Sequence, residues 1–256
     1  MADYRNVGVR SVPATGARTD IDVGLRTYML KVYNLMAGGL ALTGIAAYVL
    51  YSMSVTTDVT PYQVRPDLFL TDLGYTVFVS PLKWVLMLAP LAMVFFLSFR
   101  VHKMSVAAAQ TTFWAYAAMV GLSLSTIFLV YTQDSITEVF FITAASFGAL
   151  SLWGYTTKRD ISGWGSFLFM GVIGIVLASI VNIFLGSGAL QFAISVIGVL
   201  VFAGLTAYDT QQIKEMYYEG DGSAVMGRKA VMGALRLYLD FLNMFLFMLQ
   251  LFGNRN

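Results

Sequence analysis

Two aspartates, Asp209 and Asp240, stand inside stretches that otherwise have the composition of membrane-spanning helix. A carboxylate in hydrocarbon costs about 3 kcal/mol or more unless it is protonated, paired or turned toward water, so intramembrane acids point to proton relays, ion paths or counter-charges. Two acids sharing one low-dielectric site cannot both ionise cheaply. They titrate as a coupled unit in two macroscopic steps. With one proton shared, the carboxyls hydrogen-bond to each other and tie their helices together; once that proton leaves, they repel. Such a pair is a pH-dependent switch. Two carboxylates are also hard oxygen ligands of the kind that cations take.

The elements that must position these acids follow from composition. Of the 256 residues, 58% are apolar and 12% charged, against roughly 25% charged in a soluble domain. This is an all-α integral membrane protein. The net charge of +2 gives no reason to expect nucleic acid as a partner. There is no cysteine and a single histidine, His102, which excludes disulfides, thiolate metal sites and multi-histidine sites. His102 reads as a loop-edge residue. No Walker, HExxH, G-x-S-x-G or nucleotide-binding pattern occurs, so neither catalysis nor a cofactor is expected.

Seven apolar segments approach the ~20 residues that cross a bilayer: Val32–Met53, Leu82–Phe99, Ala107–Thr132, Val139–Thr157, Gly165–Leu185, Ala189–Asp209 and Val231–Phe252. Residues 1–31 read as a flexible basic tail, and residues 54–81 as an outer-side loop that forms an ordered lid or a short amphipathic stretch. Gly186-Ser187-Gly188 is a tight turn that makes the fifth and sixth spans antiparallel neighbours. Trp84, Trp153, Tyr155 and Trp164 fall near segment ends, as an interfacial belt requires. The tail and the loops after spans two, four and six carry twelve Lys/Arg, and the other side carries Arg65 and Arg255 with Asp58, Asp67, Asp72, Asp134 and Glu138. The positive-inside rule then puts the N-terminus in the cytoplasm. A full seventh crossing puts the C-terminus outside; a re-entrant one leaves both termini inside.

On span seven, Gly233, Arg236, Asp240, Asn243 and Gln250 share an arc of about 100° on an otherwise apolar helix. Lipid offers no hydrogen-bond partner, so this stripe must face protein or water and the last helix is expected to be central. Asp209, near the cytoplasmic end of span six, and Asp240, ~14 Å into span seven, can share a layer with Arg100 if spans two, six and seven are neighbours. Plainer readings stay open. Asp209 can mark the membrane boundary, Asp240 can pair with Arg236 one turn back, Arg100 with Lys103 can be an interfacial anchor, and Asn182 can join helices. Ala144/Gly148 and Gly174/Ala178 have the small-xxx-small spacing of close helix packing.

The stretches Gly204-Leu205-Thr206-Ala207-Tyr208-Asp209-Thr210-Gln211-Gln212-Ile213 and Ala234-Leu235-Arg236-Leu237-Tyr238-Leu239-Asp240-Phe241-Leu242-Asn243-Met244-Phe245 resemble the signatures of the Bax inhibitor-1 (TMBIM) family, in its bacterial form. The resemblance implies seven helices with the last in the middle of two three-helix layers. It also implies a pH-sensitive calcium leak governed by a carboxylate pair, which maps onto Asp209 and Asp240, and a span-two arginine latch, which maps onto Arg100; Arg236 is a second candidate counter-charge. Bacterial relatives of the family associate with a membrane-bound AAA protease, and eukaryotic ones suppress cell death. The expectation is therefore a calcium leak in the bacterial inner membrane, with calcium and protons as its ions and a weak, transient calcium site made by Asp209 and Asp240 with Asn243, carbonyls and water. The alternatives are a non-conducting regulator of a membrane protease, acting through residues 1–31, and a proton/calcium antiporter.

Overall fold

The computed structural model describes residues 14–256, with side chains described from Val23 onward except that of His102. The first thirteen residues of the expected tail lie outside that range. Seven helices are long and apolar enough to cross a membrane. The first is the membrane-length part, Val23–Ser54, of helix α1 (Ala14–Ser54). Helix therefore continues through residues 23–31, assigned above to the tail, and Tyr28 and Met29 there are buried. Hydropathy alone misses this start because Arg26 and Lys31, both exposed, interrupt the apolar run.

Residues 55–81 form an ordered cap. Strands β1 (Val55–Thr56), β2 (Gln63–Arg65) and β3 (Leu68–Leu70) make an antiparallel sheet in the order β1-β3-β2. A short helix, α2 (Asp72–Phe78), follows, capped by the Thr71 hydroxyl, which accepts from the Gly74 amide. The Tyr62 and Tyr75 rings stack at 4.1 Å and close the cap on itself. The remaining helices are α3 (Leu82–Arg100), α4 (Val106–Leu124), the single turn α5 (Ile127–Val130), α6 (Gln133–Thr156), α7 (Trp164–Leu185), α8 (Gly188–Glu215) and α9 (Ser223–Phe252). Hydroxyl N-caps at Ser105, Thr132 and Ser187 start α4, α6 and α8, each satisfying an amide that the helix leaves without a partner. α6 starts ahead of its apolar stretch, and α8 and α9 extend beyond theirs at the basic end, because a helix continues past the hydrocarbon wherever caps and water satisfy its ends.

Gly186 adopts a left-handed conformation (φ 60°) at the end of α7, and α7 and α8 pack as the expected antiparallel neighbours. Helix α9 contacts α1, α4, α6 and α8. Of its most apolar stretch 67% is buried, against 6% for α3 and 11% for α7. The C-terminus is fixed at the end of the bundle that carries α5 and the cap. Thr132 donates to the Asn254 carbonyl, the Asn256 amide to the Val130 carbonyl, and the Asn254 amide to the Ser135 hydroxyl. α9 is therefore a continuous crossing, not a re-entrant hairpin. The basic loops lie at the other end, where Tyr28 of α1 meets Tyr217 of the α8–α9 connection.

Lipid is as apolar as leucine, so helices in a bilayer associate through close packing and interhelical hydrogen bonds. Both are visible. The Tyr238 hydroxyl of α9 donates to Thr43 of α1 (2.6 Å), and Thr43 in turn donates to the Ala117 carbonyl of α4 (2.8 Å). Tyr33, Ser151 and Thr210 link α1, α6 and α8 through bonds of 2.7 and 2.8 Å. Close backbone approach occurs at Gly154, where a Cβ would collide with the Ala207 carbonyl of α8. It does not occur at Gly148 or Gly174, which have open space in front of them, so the small-xxx-small spacing noted at those positions marks no tight contact.

Gly154→Ala should force α6 and α8 apart and cost about 1–3 kcal/mol. Gly148→Ala should be neutral or slightly stabilising, through helix propensity of up to roughly 1 kcal/mol. Thermal unfolding of both variants in the same detergent checks the contrast.

Candidate functional site

Asp209 on α8 and Asp240 on α9 meet between the two helices toward the basic end. Asp240 is 4% exposed, and the Asp209 side chain 14%. The carboxyls face each other within hydrogen-bonding reach. Three buried side-chain atoms among the described residues have no hydrogen-bond partner, and one is Oδ2 of Asp240. Two ionised carboxylates only accept. A single proton placed between these two makes one of them a donor and allows a carboxyl–carboxylate bond.

The reading of Asp209 as a boundary residue does not survive, because α8 runs on to Glu215 and Asp209 is turned into the protein. The local ion pair within α9 is not formed either. Arg236 reaches across to Asp209 instead, with Nη1 3.8 Å from Oδ1, while its side chain remains 45% exposed. At that separation the guanidinium acts as a nearby charge and makes no direct hydrogen bond. Arg100 is not brought to the pair. It is exposed at the last turn of α3, and α3 packs on α2 and α4. The turn that follows it, Val101–Lys103, reaches α9, but among the described residues the ion pair at Asp209 is made by Arg236 and not by Arg100.

The polar stripe of α9 divides in two. Asn243 turns back onto its own helix, donating to the Leu239 carbonyl at 2.8 Å; the structure does not deliver its amide to the carboxyls. Gln250 belongs to the opposite end of the bundle. Its Oε1 accepts from Gln191 Nε2 (2.6 Å) and from the Ser195 hydroxyl (2.9 Å) of α8. Asn182 joins that cluster through Gln191 Oε1 (3.1 Å), which makes it an interhelical link.

Gln211, two residues after Asp209, is buried and holds the α6–α7 connection, accepting from the Ile161 amide (3.0 Å) and donating to the Arg159 carbonyl (2.8 Å). Lys214 donates to the Tyr155 carbonyl at the end of α6 (2.8 Å). The polar residues that follow Asp209 are therefore fasteners that keep the basic end of α8 rigid beside the carboxyl pair. Among the described residues no group of three or more His, Cys, Asp or Glu side chains converges. The pair brings two carboxylates to any cation, too few for a tight calcium site.

The model of the family described as "Inhibitor of apoptosis-promoting Bax1" matches residues 25–256. This chain belongs to the Bax inhibitor-1 family. Its relatives within the family include an uncharacterised protein of Caulobacter vibrioides, 45% identical over 99% of this chain and 98% of its own. The inner membrane protein YbhL of Escherichia coli is 45% identical over 91% of this chain and 93% of its own. An uncharacterised Rickettsia prowazekii protein is 43% identical over 100% and 99%. The protein is thus a bacterial, membrane-embedded member of the Bax inhibitor-1 family, and both aspartates lie within the matched region.

Gln211→Ala should release the α6–α7 connection at a cost on the order of 1–3 kcal/mol for the buried amide and carbonyl left unpaired. Faster tryptic cleavage after Lys158 and Arg159 in the detergent-solubilised protein, with a lowered unfolding temperature, is the expected result.

Proposed function

We propose that this protein is a pH-sensitive calcium leak of the bacterial inner membrane, with Asp209 and Asp240 as its proton-operated gate. The observation that carries the reading is the buried meeting of the two carboxyls between α8 and α9, with Asp240 Oδ2 lacking any protein partner. With one proton on the pair, a carboxyl–carboxylate hydrogen bond ties α8 to α9 and the route is closed. When that proton leaves, two negative charges face each other in a low-dielectric site and the helices part. Flux therefore rises as pH rises.

Arg236 stands beside Asp209 and compensates part of the charge. This limits the cost of the ionised state and tunes the pH at which the gate opens. The open pair offers calcium two carboxylate ligands and leaves the remaining coordination to water, which suits passage better than storage. At the opposite end, the exposed Asp58, Asp67 and Asp72 of the cap raise the local cation concentration. By the positive-inside rule the N-terminus and the carboxyl pair lie on the cytoplasmic side.

Calcium flux into proteoliposomes, measured from acidic to alkaline pH, tests the reading. The wild-type chain should pass more calcium at higher pH, by up to about tenfold per unit for a single-proton gate. Asp209→Asn and Asp240→Asn should each flatten that profile. A pH dependence unchanged in both variants sinks the proposal, and uphill calcium movement driven by an imposed pH gradient would replace the leak with an antiporter.

A further inference from the structure

The two halves of the divided α9 stripe lie on one seam. Arg236, Asp240, Asn243, Phe247 and Gln250 follow one another at spacings of three and four, a single face of the helix. The sequence stripe skipped Phe247 because it is apolar. Ser195, Gly198, Phe202 and Asp209 form the corresponding face of α8. Along this seam, Arg236 stands against Asp209 at one end. In the middle Phe247 stacks on Phe202 (5.9 Å) and lies over Gly198, where a Cβ would come within 2.6 Å of its ring. At the other end Gln250 holds Ser195 and Gln191.

We infer that Gln250, Gln191 and Ser195 form a second gate in series with the carboxyl pair, at the far mouth of the same α8–α9 route, with the Phe247 ring as the apolar plug between them. Three observations converge. Both polar clusters join the same two helices, and the segment between them is sealed by aromatic packing that only a glycine at position 198 admits. Beside the amide cluster lies a cavity of about 400 Å³, lined by Asn182, Gln191, Ser195, Gln250 and Arg255. Arg255 is the only charged side chain among its lining residues.

The chemistry of the two ends differs. The carboxyl pair changes charge with pH, whereas amides and a hydroxyl do not titrate in the physiological range. The far gate therefore yields to helix separation and not to a proton. Parting of α8 and α9 at the carboxyl pair opens nothing until the amide bonds also release. When they do, the Gln250 and Gln191 oxygens are freed to face a partly hydrated cation. This inference rests on the leak reading and adds to it a second, proton-independent constriction.

The chain has no cysteine, so a Ser195→Cys/Gln250→Cys double variant carries the only two thiols. A short, reducible bis-thiosulfonate cross-linker should tie them. Cross-linking should reduce calcium flux at alkaline pH to the level of protein-free liposomes, and reductant should restore it. Gln250→Leu, which keeps the bulk and removes the lock, should raise alkaline flux without moving the midpoint of the pH profile. Flux that persists through the cross-linked protein, or a Gln250→Leu variant that matches wild type or shifts the midpoint, overturns the second gate alone. A wild-type chain that passes no calcium at any pH overturns the leak reading and this inference with it.

Discussion

A carboxyl group at position 240 cannot face lipid, and much of the bundle is arranged around that restriction. Nothing in the hydrocarbon interior can hydrogen-bond it, so the surface of α9 that carries it has to be covered by other helices. α1, α4, α6 and α8 supply the cover, while α3 and α7 are left with most of their surface turned outward. The cover is tight because the residues flanking Asp240 are large: Leu237, Tyr238, Phe241 and Met244 are each at most 2% exposed. The residue that is costly to bury thus sits in the most buried of the seven long helices. Among the described residues, only a second acid, Asp209, and a half-exposed guanidinium stand close enough to answer it.

What holds the helices together is correspondingly polar. In water, apolar burial at roughly 25 cal/mol per Å² would dominate; in a bilayer that term largely vanishes between helices, and packing and hydrogen bonds remain. The Tyr238–Thr43–Ala117 and Tyr33–Ser151–Thr210 chains each tie three helices through hydroxyls, at about 0.6–2 kcal/mol per bond. They join α1 to the rest of the bundle on both sides of α9. The α8–α9 seam is different in kind. Its own polar contacts are a carboxyl pair, a long ion pair and an amide cluster, each of which can be undone without dismantling the hydroxyl chains.

Much of this was legible in the sequence, and the exceptions have physical causes. Hydropathy locates seven crossings because each needs about 20 apolar residues, but it misplaces their ends, since caps and charged side chains let helix continue beyond the hydrocarbon. Depth and the inward-facing stripe permit the pairing of Asp209 with Asp240, and the family resemblance implies it. That reasoning cannot say which helix lies beside which, and so it admitted Arg100, whose helix packs on α4. It also puts Asn243 and Gln250 on one stripe with Asp240. A stripe of polar residues on one face reports a common direction and not a common destination: over the ten residues from Asp240 to Gln250 the helix rises ~15 Å. Phe247 escaped notice for the opposite reason, being an ordinary apolar residue whose position matters only once Phe202 and Gly198 are opposite it.

Under the proposed reading, the pair has to be made of two acids and not of an acid and an amide. An acid–amide pair can hydrogen-bond in either protonation state, because the amide supplies both a donor and an acceptor. It would lock the helices at every pH, as the inferred gate of Gln250, Gln191 and Ser195 does at the other end. Two carboxyls hydrogen-bond only while they hold a proton between them, so the same contact that is cohesive when protonated is repulsive when ionised. Arg236 does not cancel this property, because it sits 3.8 Å from one member and stays half in solvent, where a single charge is strongly screened. A responsive contact at one end and an unresponsive one at the other make α8 and α9 a seam that, under the proposed reading, opens from the carboxyl end first.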